Sequence, residues 1–201
     1  VFERMRDNEL EEVRKNQILN ALADEFASYE QELGTASADL DLGYAKPFFE
    51  NYSKGNRPHP RPILYGGIQK VKTGIWDAML QSGGIEVLEV EIIQQVQLFF
   101  IQLQDMLDLY ARYERLYENL IMPELDQNTS FFYEPAGPEL RDKYKWYVNQ
   151  MFSIGSSLRN LTKIASETKI LLHDELNEKS QDIEKPKKSL ATVKRKPSKN
   201  E

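Results

Sequence analysis

The chain has 201 residues, a formal net charge of −6 and no cysteine, which excludes disulfides, thiolate metal sites and cysteine nucleophiles. The charge is uneven: Ser180 to Glu201 holds seven Lys and Arg against three acids, and the 19 basic and 29 acidic residues before them carry −10. An acidic body argues against general nucleic-acid binding, and no segment approaches the ~18–20 apolar residues of a membrane span.

Residues 1–33 lack Gly and Pro and are rich in helix-forming Glu, Arg, Leu and Ala. Leu19, Leu22, Phe26, Tyr29 and Leu33 recur at steps of three and four, whereas the first dozen residues are mostly charged. The first helix is therefore amphipathic only toward its far end, its near end leads out of any bundle, and Gly34 reads as its C-cap. A linker over 35–61 follows. It carries Tyr44, Phe48, Phe49 and Tyr52, which should lie against the bundle with a short helix around 45–53. Asn56-Arg57-Pro58-His59-Pro60-Arg61-Pro62 reads as a stiff extended lead-in, and Pro62 as the first residue of a second helix over 62–81. That helix shows Leu64, Ile68, Val71, Ile75 and Ala78 or Met79 on one face and stops at Ser82-Gly83-Gly84.

The strongest periodicity belongs to the third helix, 86–122, entered directly or after one separate turn. Ile92, Val96, Phe99, Leu103, Met106, Tyr110, Tyr113, Tyr117 and Leu120 form an unbroken stripe, and Ile93, Phe100 and Leu107 make a second row beside it. Two adjacent apolar rows need partners on both sides, so this helix belongs at the centre of a bundle. Pro123 ends it. After a loop with Phe131-Phe132-Tyr133, Gly137-Pro138-Glu139 looks like the start of a fourth helix, 138–177, striped by Leu140, Tyr144, Tyr147, Met151, Ile154, Leu158, Leu161 and Leu172. The fold expected is all-α: an antiparallel four-helix bundle over 1–178 and a disordered basic tail over 179–201.

Chemistry is sparse. The only histidines are His59 and His173, and the residues three before them, Asn56 and Ile170, rule out the Glu-x-x-His pairs of a di-iron bundle. His59 reads as a surface residue, and His173 as a cation near a helix C-terminus. Asp39 and Asp41 read as solvated rather than metal-ligating, and phosphate-cradling glycine motifs are absent. No catalytic, cofactor or metal residue is assigned. Tyr110, Tyr113, Tyr117, Tyr144 and Tyr147 are the candidate lining of a pocket between the third and fourth helices, although their spacing equally suits core packing.

The run Gly74-Ile75-Trp76-Asp77-Ala78-Met79-Leu80-Gln81-Ser82-Gly83-Gly84-Ile85-Glu86-Val87-Leu88, followed by a long aromatic-rich helix, resembles the signature of a family of uncharacterised bacterial single-pass membrane proteins. Glu3-Arg4-Met5-Arg6-Asp7 through Leu22 is similar to that family's segment just after its membrane helix. The likeness spans about residues 1–125 and departs at the 35–61 linker and the basic tail. It implies an anchor upstream of Val1 and a helical domain on the periplasmic side of a bacterial cell envelope. It transfers no catalytic residue. The function expected is a non-catalytic, membrane-tethered interaction or sensing domain with a protein partner and no nucleic acid; the alternative is small-ligand binding in the tyrosine pocket. Heptad stripes leave a homo-oligomer open.

Overall fold

The computed structural model describes residues 2–63 and 74–184, with side chains described over 9–63 and 74–177. The protein is an all-α antiparallel four-helix bundle built from α1 (Phe2–Leu40), α3 (Gly74–Ser82), α4 (Val90–Leu120) and α5 (Trp146–Glu184), with a short α2 (Lys46–Ser53) beyond the end of α1. Lys15 meets Glu175 at 2.8 Å and Asp41 meets Arg159 at 3.1 Å, so α1 and α5 run antiparallel. Asn160 on Gln102 and Trp146 on Tyr113 set α5 antiparallel to α4. Arg14 donates to the Ser82 carbonyl and Glu25 accepts from the Ile75 backbone, so α3 runs antiparallel to α1.

The α4 stripe is buried from Ile92 to Tyr117, and Ile93, Phe100 and Leu107 pack partly buried beside it. Phe99 and Phe100 meet Phe26 and Tyr29 of α1, and Phe100 stacks on Trp76 of α3 at 5.9 Å. Each such ring adds on the order of 1.5–3 kcal/mol by burial, which makes this cluster the centre of the core.

The first helix does not stop at Gly34. An added Cβ there would sit 3.6 Å from Thr162 Cγ2 of α5, and the buried stripe continues past it through Ala36, Ser37 and Leu40. Burial of those turns offsets the ~1 kcal/mol that glycine costs inside a helix. Past Leu40 the backbone opens into a π-helix, Asp41–Ala45, in which the Lys46 N–H donates to the Asp41 carbonyl five residues back. Pro47 accounts for it. Proline has no N–H for the Gly43 carbonyl, and its ring crowds that oxygen, so the preceding turn widens. The expected linker is accordingly helical as far as Ser53, the short helix near 45–53 is present as α2, and only 54–63 are non-helical.

A glycine does close α2. Gly55 adopts φ +77°, its N–H bonds the Tyr52 carbonyl, and the Asn56 N–H bonds the Asn51 carbonyl, the paired arrangement of a Schellman cap.

Three further boundaries move. Pro62 and Ile63 lie outside any helix, the expected residues 64–73 of the second helix fall outside the described residues, and its remainder is α3. The third helix begins at Val90 rather than 86, because Gly84–Val87 form a separate 3-10 turn and Leu88 is extended and buried. The fourth begins at Trp146 rather than 138. Glu134 and Arg141 donate backbone bonds to Glu139 and Phe132, which holds 138–140 out of a helix. Its far end runs past 177 to Glu184, and the expected tail from 185 lies outside the described residues.

Candidate functional site

Proline sets the backbone problem at this end of the bundle. Between Asn56 and Ile63 the chain is an extended strap in which Pro58, Pro60 and Pro62 have no N–H and cannot join a helix or ladder. The tyrosine row solves it. Ile63 N–H donates to the Tyr113 hydroxyl at 2.9 Å, and the Tyr110 hydroxyl donates to the Ile63 carbonyl at 3.0 Å. Arg61 N–H donates to the Tyr147 hydroxyl at 3.2 Å, which donates in turn to the Arg61 carbonyl at 2.8 Å. Tyr133 donates to the Pro58 carbonyl at 2.6 Å.

The expected tyrosine pocket is thus filled by the chain itself. Tyr110, Tyr113 and Tyr147 are brought together as a clasp for the strap. Tyr117 sits beside Tyr113 at 5.9 Å, but its buried hydroxyl has no partner. Tyr144 belongs elsewhere, packed with Phe131 and Phe132 beneath the loop that follows α4. Burial raises the Tyr113, Tyr133 and Tyr147 phenols above the ordinary range and pushes Tyr117 up to about 12. All four are neutral at physiological pH, and Tyr113, Tyr133 and Tyr147 serve as hydrogen-bonding groups.

The open space lies one layer out. A cleft of about 350 Å³ separates α2 from the strap, with Tyr44, Pro47, Phe48 and Asn51 on the helical side and Tyr147 at its base. Asn56, Arg57, Pro58, His59 and Arg61 form the opposite wall. Arg57 is fixed, since its Nη2 donates to the carbonyls of Gly137 at 2.8 Å and Glu134 at 3.0 Å. Asn51 and Asn56 bond each other across the end of the cleft at 3.2 Å.

His59 is not the surface residue expected. It is half-buried, edge-on to Phe132 at 4.9 Å, with Nδ1 3.1 Å from the Pro60 carbonyl. His173 is exposed but stands well before Glu184, too far from the end of α5 for the helix dipole to act on it. Asp41 is taken by Arg159, which places two donor contacts of 3.1 Å on its oxygens. The sequence predicts the short helix of its wall near 45–53, but the cleft itself is not legible, because nothing in the local sequence says that this helix and the strap over 57–61 stand apart from one another. The chain matches no protein-family model, no curated protein and no solved structure.

Proposed function

We propose that this protein is a non-catalytic helical sensing module in which a small molecule occupies the cleft between α2 and the strap, and occupancy is passed along α1. The observation that carries this reading is backbone continuity: the cleft wall α2 joins α1 through the π-helix Asp41–Ala45 with no intervening loop. A π-helix has a register that can revert to α, so it is a natural place for an axial shift to enter a long helix. At the other end of α1, residues 9–14 are all exposed, Leu10 and Val13 included. Leu10 and Val13 offer a partner apolar surface. The likeness to single-pass membrane proteins adds that the partner segment is a membrane anchor; among the described residues no helix is long and apolar enough to cross a membrane.

The ligand site in this reading is the cleft rather than the space among the tyrosines, which the strap already fills. The test uses the absence of cysteine. With spin labels at Glu11→Cys and Glu91→Cys, an inter-spin distance that changes when a compound from a metabolite panel raises the melting temperature supports sensing. Ligands that stabilise the protein while leaving that distance unchanged reduce it to a binding module, and a panel without any stabilising compound removes the reading. Carbonate-washed membrane fractions of cells making the native protein test the anchor separately.

A further inference from the structure

The body of this chain carries a net negative charge, so an average surface concavity should be lined by acids. The cleft is the reverse. Its walls hold Arg57, His59 and Arg61 and, among the described residues, no Asp or Glu. The acids on the adjoining helical segments are already taken, Asp41 by Arg159 at 3.1 Å and Glu50 by Lys46 at 3.9 Å. Arg57 is half-buried; its Nη2 donates to neutral carbonyls and its guanidinium lies over the Tyr133 ring, and no acid forms an ion pair with it among the described residues.

Arg61 differs. Both backbone groups are held by Tyr147, while its guanidinium makes no hydrogen bond or ion pair among the described residues. A guanidinium without a partner among the described residues, carried on a pinned, proline-stiffened backbone, suits a planar or tetrahedral oxyanion, and binding orders its side chain but little of its backbone. Resting on the cleft as the ligand site proposed above, we infer that its ligand carries a carboxylate or phosphate group, bound bidentately by Arg61 and held in the positive field of Arg57. The Asn56 amide, whose second N–H has no partner among the described residues, is a neutral donor beside it. The volume of about 350 Å³ suits a small metabolite or the headgroup of a lipid.

The experiment is an amide NMR titration of the whole chain with inorganic phosphate, with succinate, and with phosphatidylcholine vesicles with and without phosphatidylglycerol. Saturable shifts confined to residues 43–61 and Tyr147 are expected, and Arg61→Gln should weaken binding at least about tenfold. Arg112→Gln, an exposed arginine on α4, is the control and should change it less than about twofold. Free anions binding through Arg61 identify a soluble ligand, and vesicles binding only when phosphatidylglycerol is present identify a headgroup; each supports the oxyanion site. No saturation with any probe, or equal weakening by the two variants, overturns it. A neutral compound that fills the cleft and shifts the α1 distance overturns the anion inference and leaves the sensing reading standing. Anion binding with no change in that distance does the opposite.

Discussion

A single hydroxyl, that of Tyr147, holds both backbone groups of Arg61, accepting from its N–H at 3.2 Å and donating to its carbonyl at 2.8 Å. A strap of alternating prolines has few N–H groups, and here the described ones at Arg61 and Ile63 both end on tyrosine oxygens from the bundle. The tyrosines therefore act as backbone ligands for a segment that cannot satisfy itself.

The clasp predicts a contrast within one row. Tyr113→Phe leaves the buried Ile63 N–H unpaired and should cost about 1–3 kcal/mol. Tyr117→Phe removes a hydroxyl that is buried without a partner and should be neutral or stabilising by up to about 1 kcal/mol. Urea unfolding of both variants checks this; a Tyr113→Phe midpoint unchanged from the wild type would show that ring packing, not the hydroxyl, holds the strap.

Lys15 makes a second prediction at the opposite end. Its side chain is 7% exposed and bridges Glu89 at 2.9 Å and Glu175 at 2.8 Å, tying α1 to the residue before α4 and to α5. Lys15→Ala removes the 2.8 Å ion pair of Glu175, itself only 18% exposed, and should cost about 2–3 kcal/mol, less than a fully buried pair because Glu89 stays wet. Lys15→Met keeps the stem packing and should lose less. A melting temperature for Lys15→Met at or below that of Lys15→Ala would contradict this account.

Two glycines beside the cleft should respond oppositely to alanine. Gly55 has φ +77°, so Gly55→Ala should destabilise by about 1 kcal/mol. Gly43 is helical, with nothing within 4 Å of an added Cβ, and Gly43→Ala should stabilise by up to about 1 kcal/mol. Thermal unfolding of the pair reads the signs directly.

Glu25 provides a pH dependence. Burial raises its carboxyl above the ordinary value of 4.5, with Asp77 adding to the rise and bonds from Tyr29 and the Ile75 backbone opposing it. The folded protein thus holds this proton more tightly than the unfolded chain does. Its contribution to stability is fully present below the unfolded value and is lost as pH rises through the folded one. Glu25→Gln should flatten that fall, so the variant gains on the wild type in denaturant midpoint as pH rises above 4.5. Parallel profiles would place the proton elsewhere.

What the sequence determined by itself was the helical class and the long periodic faces. Ile92 to Tyr117 were legible because large apolar side chains recur at helical spacing, and that pattern depends on local geometry alone. Tertiary structure decided the ends and the site. Gly34 looked like a stop, yet the small residues Ala36 and Ser37, invisible to a search for bulky side chains, are buried, and Leu40 beyond them packs at Gly155 of α5. Gly137-Pro138-Glu139 looked like a start, yet backbone bonds to Phe132 and Glu134 hold those residues out of a helix. The tyrosines looked like a pocket because their spacing says only that they share a face; what they face is the proline strap, brought to them from about fifty residues away in sequence by the π-helix and the turn at Gly55. Periodicity records which side chains lie together on one element, and long-range packing alone chooses their occupant.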